Sequence, residues 1–420
     1  MRWWIIGLAF LATAIAYLDR LTVAVLAPYI IAALHLSNLG YAGINTWFLL
    51  TYCLGQSFYG KLHDRIGSRR GYASAMSLWS LAEAAHAFAR SLSSLSVFRF
   101  FLGLGEAGQW PAATKTAAEW FPARQRALGM GIVNAGAALG TAASAPFIVW
   151  LALAYGWRST FAVTGALGLI WAAAWLWLYR LPERHPRITA AERAFILAGQ
   201  SEDERAQPVG WRRLLRQADV WGIVLARFLG DPVWFLYLFW LPEYLYKTRR
   251  FTLAEIGASV WVPYLAAGAG SLLGGWSSGW LIRRGWSVYR ARGAAILLAT
   301  GLALSGFMVA QARSPQAALA WISLLLFSFQ FWVNNVQTLP SDLYSTCAIG
   351  SIAGLAGAAG AGGAAILTLS TGWVVDHFSY TPMLLATSLF LPLGTLLLAL
   401  LVRPRRFQRP RPATGSGGII

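Results

Sequence analysis

The sequence predicts an all-α integral membrane protein that crosses the bilayer twelve times. Hydrophobic residues make up 57% of the 420 residues, and charged residues make up only 12%. A soluble globular domain carries about 25% charged residues, so this composition excludes an ordinary soluble protein. The chain also contains repeated apolar runs of about 20 residues, the length that spans a hydrocarbon core of about 30 Å.

The apolar runs fall into two groups of six. The first run follows directly on Met1 and Arg2 and is longer than the apolar region of a cleavable signal peptide. We therefore interpret it as a retained first helix. The spans are predicted at about residues 3–27, 43–62, 72–89, 95–117, 127–152, 159–179, 219–242, 256–282, 293–312, 316–336, 349–374 and 382–402.

A charged segment in the middle of the sequence separates the sixth span from the seventh. It divides the chain into four predicted units. These are an N-terminal six-helix bundle at 1–179, a cytoplasmic linker at 180–218, a C-terminal six-helix bundle at 219–402 and a cytoplasmic tail at 403–420. The tail is basic, and we expect it to lie against anionic lipid.

The two halves repeat a local pattern, which predicts a pseudo-symmetric pair of bundles. Gly60-x-Leu62 and basic residues follow the second span, and Gly279-x-Leu281 and arginine follow the eighth. A repeated six-helix half is the plan of many secondary transporters, in which the substrate binds between the halves near the membrane midplane.

The distribution of basic residues predicts the orientation. If the N-terminus is cytoplasmic, 24 of the 34 Lys and Arg residues fall in cytoplasmic segments, 6 on the opposite side, and 4 within or at the ends of spans. This bias places both termini in the cytoplasm. The same distribution explains the net charge of +18, because basic cytoplasmic segments face anionic lipid. No nucleic-acid-binding pattern is present in the sequence.

The segment after the second span carries a recognisable pattern, Gly60-x-Leu62-x-Asp64-Arg65-x-Gly67-x-Arg69-Arg70. At every defined position it resembles the loop motif of the major facilitator superfamily. The resemblance implies a conformational latch rather than a substrate site, formed by Gly60, Asp64, Arg65, Gly67, Arg69 and Arg70. The alternative is a basic cytoplasmic loop that only obeys the positive-inside rule.

Further segments resemble the anion:cation symporter family, in particular its hexuronate and galactonate branch. They are Tyr17-Leu18-Asp19-Arg20, the run from Arg99 to Gly108, Glu119-Trp120-Phe121-Pro122, Gly156-Trp157-Arg158, the run from Arg227 to Pro232, Leu339-Pro340-Ser341-Asp342-Leu343 and the glycine-rich run from Gly350 to Gly363. Relatives often have Asn-Phe-Pro where this chain has Gln109-Trp110-Pro111. The resemblance implies a multi-pass protein of the bacterial inner (plasma) membrane.

Ionisable residues inside the bilayer cost about 2.5–3.5 kcal/mol each and are candidates for function. Span one contains Asp19 and Arg20, and span four contains Arg99 and Glu106 on one helix face, about 10 Å apart. A guanidinium stays charged and binds a carboxylate through two hydrogen bonds, so the two arginines are predicted to bind a substrate carboxylate. The two acids can change protonation, which predicts Glu106 as the principal proton site and Asp19 as a second. The alternative is that all four form structural ion pairs.

A polyol substrate also needs hydrogen-bonding partners. Four polar residues in apolar stretches are predicted to bind sugar hydroxyls, namely Tyr52, Asn134, Tyr237 and Asn334. The alternative for such groups is helix–helix hydrogen bonding, worth about 0.6 kcal/mol on average. Asp231 lies beside Arg227 in span seven, and we interpret these two as a structural or gating pair.

The function predicted from these residues is proton-coupled uptake of a small organic anion. The substrate is expected to be a sugar acid, such as a hexuronate or an aldonate, and the open alternatives are another organic anion, a sugar phosphate or a sensor of the same fold. No catalytic constellation, disulfide framework or metal-ligand spacing is present. We therefore expect no enzyme activity, no metal and no cofactor other than the coupling proton, and we expect a monomer.

Overall fold

A computed structural model describes residues 1–121, 126–198, 211–344 and 346–402 of the chain. All the regular elements in these ranges are helices, which confirms the predicted all-α class. The first half contains α1 (Arg2–Val25), α2 (Ala27–Leu34), α3 (Asn38–Ala85), α4 (Leu92–Glu106), α5 (Gln109–Trp120), α6 (Arg126–Tyr155) and α7 (Trp157–Leu178).

The middle of the chain and the second half contain the remaining helices. They are α8 (Ala190–Ala198), α9 (Trp211–Leu215), α10 (Ala218–Arg249), α11 (Leu253–Ser259), α12 (Trp261–Arg283), α13 (Val288–Ala303), α14 (Gly306–Gln311), α15 (Pro315–Leu343), α16 (Thr346–His377), α17 (Thr381–Ser388) and α18 (Phe390–Leu401). A 3-10 turn at Pro182–Arg184 and helices α8 and α9 occupy the predicted linker, so the described part of this segment is partly helical.

Nine helical segments within the described residues are long and apolar enough to cross a membrane. The other three predicted spans also fall on helices. The second and third lie in α3, which is continuous over 48 residues, and the fourth is divided between α4 and α5. The spans in α3 are not among the nine because many small and polar residues lower their mean hydropathy, and the break at Ala107–Gly108 leaves α4 and α5 each too short.

The segment 60–70, which resembles a loop motif, is helical in the structure except at one residue. Gly67 has φ 76° and ψ 160°, whereas the rest of α3 keeps helical geometry. Glycine reaches a positive φ without the steric penalty that a Cβ brings. The direction of the chain therefore changes at Gly67, between the second and third spans.

Polar contacts join the two halves at one end of the bundle, remote from Met1 and Val402, which we call the distal end. Here Asp376, near the end of α16, accepts hydrogen bonds from the backbone N–H groups of Asn38 (3.1 Å) and Leu39 (2.7 Å). These amides belong to the first turn of α3, where a carboxylate is favoured by the helix dipole. Lys247 of α10 donates to Asn38 Oδ1 at 2.8 Å and pairs with Glu243 at 2.6 Å.

Candidate functional site

The centre of the N-terminal half contains a buried ion pair between α1 and α4. Arg20 Nε donates to Glu106 Oε2 at 2.5 Å, and the two residues are only 2% and 0% exposed. The rings of Tyr17 and Tyr52 lie 4.9 and 4.8 Å from the Arg20 guanidinium carbon, and that of Phe48 lies 5.5 Å from it. Aromatic faces attract a cation most strongly where water is excluded. The structure thus brings together Arg20, Glu106 and Tyr52, which were all predicted site residues.

Glu106 is the last residue of α4, at the break before α5 begins. The sequence placed Arg99 and Glu106 on one face of a continuous helix. In the structure the direct partner of Glu106 is Arg20, on the neighbouring helix α1. Arg99 acts on the Glu106 carboxylate only through its charge.

Arg99 lies wholly inside the N-terminal half. Its Nη2 donates to Asn45 Oδ1 at 3.3 Å, and its guanidinium carbon lies 5.4 Å from the Phe48 ring centre. Its Nε and Nη1 have no hydrogen-bond partner among the residues that the structure describes. Arg99 therefore retains unused hydrogen-bonding capacity, but in this conformation solvent does not reach it.

Two carboxyl groups face Arg99 from other helices. Asp19 of α1 is fully buried, and neither of its oxygens has a hydrogen-bond partner within the described chain. Glu83 of α3 is also fully buried, and its Oε1 accepts a hydrogen bond from Thr164 Oγ1 at 3.2 Å. Among the acids near Arg99, Glu83 exerts the strongest electrostatic attraction, ahead of Glu106 and Asp19.

Glu83 and Asn45 were not among the residues predicted from the sequence. Glu83 is an acidic residue inside the third predicted span, so the test for intramembrane charge that selected Asp19 and Glu106 also applies to it. Asn45 gave no such signal, because an amide near the start of a span is common and its partner is set only by packing. Its importance follows from its contact with Arg99.

The C-terminal half contains the predicted pair of Arg227 and Asp231. Arg227 Nε lies 2.7 and 2.8 Å from the two Asp231 oxygens, and Nη2 lies 2.6 Å from Oδ2, so the pair is confirmed. Asp231 packs against the backbone of Gly360 in α16, where any side chain would clash with the Asp231 carboxylate. Asp231 also acts electrostatically on Tyr17 of α1, across the interface between the halves.

The predicted hydroxyl-binding residues have different surroundings. Asn134 is exposed on α6, one turn from Ala138, which faces Gly268 of the C-terminal half. Tyr237 is buried, and its hydroxyl has no hydrogen-bond partner among the described residues. Asn334 Nδ2 donates to the Ser271 carbonyl of α12 at 2.8 Å, which is the helix–helix alternative. Of these three, none contacts the Arg20 guanidinium in the described structure.

The predicted latch residues lie around the turn at Gly67. Arg69 donates from Nε (3.1 Å) and Nη2 to the carbonyl oxygen of Leu176 at the end of α7. Arg65 and Arg70 are exposed. Gly60 and Asp64 lie in α3, but their surroundings fall outside the described part of the structure, so the role of the motif stays a prediction.

The sequence was compared with known protein families and proteins. It matches the Major Facilitator Superfamily over residues 9–368. The chain belongs to the major facilitator superfamily. This assignment confirms the predicted family and fold, and it agrees with the expectation of a multi-pass membrane transporter rather than an enzyme.

Major facilitator proteins similar to this chain include named sugar-acid transporters. The Hexuronate transporter of Escherichia coli (strain K12) is 31% identical over 95% of this chain and 93% of its own length. The Galacturonate transporter of Dickeya chrysanthemi is 36% identical over 66% of this chain and 81% of its own length. A bacterial homolog of the human lysosomal transporter Spinster has a solved structure with a TM-score of 0.77, at 18% identity, covering 98% of this chain and 99% of its own.

Proposed function

We propose that this protein takes up a carboxylated sugar, a hexuronate or an aldonate, together with protons. The observation that carries the proposal is the pair of Arg20 and Glu106, buried between Tyr17 and Tyr52 in a transporter fold. A buried guanidinium needs one anionic partner, because an unpaired charge in a poorly solvated site is costly. Two anions can serve Arg20, namely ionised Glu106 or the carboxylate of a substrate.

This competition couples the substrate to a proton. When Glu106 is protonated it no longer balances the charge of Arg20, and a substrate carboxylate can take its place at the guanidinium. When the substrate leaves, Glu106 must release its proton to pair with Arg20 again. Each monoanionic substrate therefore travels with one proton at this pair, and a pH gradient drives its accumulation.

The surroundings of the pair suit a sugar acid. Tyr17 and Tyr52 place phenol groups beside the carboxylate-binding position, where they can hydrogen-bond sugar hydroxyls. Asn134 is exposed on α6, one turn from Ala138, which packs against Gly268 of the C-terminal half. The resemblance to hexuronate and galacturonate transporters supports the same substrate class.

The test uses purified protein in liposomes with an imposed pH gradient, acidic outside. Wild-type protein should accumulate labelled glucuronate, galacturonate or galactonate. Glu106→Gln should lose accumulation but keep exchange of labelled for unlabelled substrate, because Arg20 remains able to bind a carboxylate. Glu183→Gln makes the same chemical change at an exposed position and serves as the control. Accumulation by Glu106→Gln at the wild-type level contradicts the coupling role.

The substrate class is tested separately by thermal-shift measurements on the same protein. Sugar acids should raise the unfolding temperature, and neutral sugars of the same size should not. If sugar phosphates stabilise the protein and sugar acids do not, the substrate assignment is wrong even where proton coupling holds.

A further inference from the structure

A second group of buried charges lies beside the Arg20–Glu106 pair, and the coupling scheme above does not use it. It consists of Asp19 on α1, Glu83 on α3 and Arg99 on α4, all 0% exposed. The His86 ring, one turn after Glu83, lies 5.7 Å from the ring of Phe98, the residue before Arg99. Asp19, Glu83 and Arg99 lie on three different helices in the interior of the N-terminal half, close enough for their charges to interact.

The number of charges in this group does not balance if both acids are ionised. Glu106 is the hydrogen-bonded partner of Arg20, so Arg99 alone faces Asp19 and Glu83. A buried carboxylate without a partner costs several kcal/mol, and such a group binds a proton instead. One positive charge can therefore keep one of the two carboxyl groups ionised, and the other is neutral.

The other groups around Glu83 add no compensating charge. His86 is on the same helix, with Nδ1 at 2.8 Å from the Ala82 carbonyl and 3.9 Å from Glu83 Oε2. Its Nε2 has no partner among the described residues, as expected for a neutral ring. Thr164 on α7, which contacts Glu83, is neutral. Trp79 on α3, which lies near Asp19, is neutral as well.

The hydrogen bonds permit either acid to hold the proton. Both Asp19 oxygens lack a partner within the described chain, and so does Glu83 Oε2. The hydroxyl of Thr164 can donate to ionised Glu83 or accept from protonated Glu83, since it is 3.2 Å from Oε1. Two interacting acids with one proton titrate as a pair rather than as independent groups.

We propose that Asp19 and Glu83 share one proton against the charge of Arg99, which makes Glu83 an additional proton-binding residue of this transporter. The part of this inference that concerns transport rests on the proposed proton coupling. The shared proton itself does not, because it follows from the charges and burial of the resting protein.

The pair has an unusual mutational signature. Asp19→Asn leaves Glu83 ionised beside Arg99, and Glu83→Gln leaves Asp19 ionised there, so each single variant keeps one negative charge for one positive charge. The double variant leaves Arg99 without a counter-ion. The single variants should fold with thermal stability close to wild type, whereas the double variant should lose far more than the sum of the two single changes.

Infrared spectroscopy of the purified protein tests the proton directly. The wild type at neutral pH should show the C=O stretch of a protonated carboxyl group, and Asp19→Asn and Glu83→Gln should each abolish that band. Glu243→Gln is the matched control, because Glu243 is an equally buried acid that pairs with Lys247, and it should leave the band intact. A band that survives in Glu83→Gln, or stability losses that simply add, would overturn the proposal.

These measurements use no substrate, so their outcome is independent of whether a sugar acid is transported. The link to transport is the number of protons carried per substrate, obtained in liposomes from the substrate gradient that balances a given pH gradient. We expect this number to fall by one in Glu83→Gln. An unchanged ratio would show that the shared proton stays bound through the cycle and would overturn the coupling role.

Discussion

Arg20 Nε and Glu106 Oε2 lie 2.5 Å apart, although Arg20 has another acid, Asp19, next to it in the chain. Successive residues of a helix point about 100° apart, so Asp19 and Arg20 cannot both face the same partner. Arg20 is directed towards α4 and Glu106, whereas the Asp19 oxygens make no hydrogen bond within the described chain and Glu83 of α3 is the acid that acts on Asp19 most strongly. This divergence separates the buried charges of the N-terminal half into two groups.

We first predict that Arg20→Lys weakens substrate binding by about ten- to a hundredfold, since hydrogen bonds to a charged group are worth about 1.5–3 kcal/mol. A lysine keeps the charge but cannot form two parallel bonds to a carboxylate or stack between Tyr17 and Tyr52. The measurement is the concentration of sugar acid that gives half-maximal thermal stabilisation. Arg158→Lys, at an exposed position, should bind as wild type does. Equal affinities in the two variants would exclude Arg20 as the carboxylate-binding residue.

The sequence was sufficient to predict the fold class, the family and the proximity of several site residues. Helical segments occupy all the predicted spans because apolar length is set by bilayer thickness. Arg20, Tyr52 and Glu106 were each predicted as site residues because a polar group in an apolar span is a candidate for function, and the structure places them together. The fold class follows from composition and apolar length, whereas the family follows from the resemblance of the 60–70 motif and of the Arg99–Gly108 run.

The pairing of charges could not be predicted in the same way. Whether Arg20 or Arg99 pairs with Glu106 depends on the rotation of each helix about its axis and on the break after α4. Neither feature can be predicted from the spacing of residues along the chain. The extent of the turn at Gly67 was also overestimated. The resemblance to a loop motif predicted an irregular segment at 60–70, whereas only the backbone of Gly67 leaves the helical region.

For Asn334 we predict a structural effect rather than a loss of binding. Its Nδ2 already donates to the Ser271 carbonyl, so Asn334→Ala should lower thermal stability modestly, in keeping with the average of about 0.6 kcal/mol for such bonds. The affinity for a sugar acid should change less than twofold. Asn335 makes comparable bonds to the Gly274 and Phe331 carbonyls and offers a parallel variant. A tenfold loss of affinity in Asn334→Ala alone would restore Asn334 as a sugar contact.

His185, in the predicted linker, should make the stability of the protein depend on pH. Burial lowers the pKa of His185, and the charges of Arg187 and Arg180 act in the same direction, although a hydrogen bond to the Leu178 carbonyl opposes them. The backbone N–H of Arg187 donates to Nδ1 at 3.2 Å, which requires an unprotonated Nδ1.

The sign of this effect follows from proton binding. A histidine with a lowered pKa binds fewer protons in the folded than in the unfolded state. Its contribution to stability is therefore complete above the unfolded pKa of about 6.5 and is lost as the pH falls towards the folded pKa. We expect the unfolding temperature to drop less between about pH 7.5 and 5.5 in His185→Gln than in the wild type. An identical drop in both would show that His185 does not titrate in this range.

Asp376 should control how readily the distal end opens. Its carboxylate accepts from the N–H groups of Asn38 and Leu39, so it caps α3 from the opposite half of the protein. Removal of a capping side chain costs about 0.5–2 kcal/mol, and Asp376→Ala should shift the conformational equilibrium towards distal opening by that amount. Spin labels at the exposed positions Arg90 and Arg313, on opposite halves, should report a longer distance in this variant. Asp342→Asn breaks an ion pair with Arg292 within one half and should leave the distance unchanged; equal lengthening in both variants would mean that Asp376 has no specific role in holding this end closed.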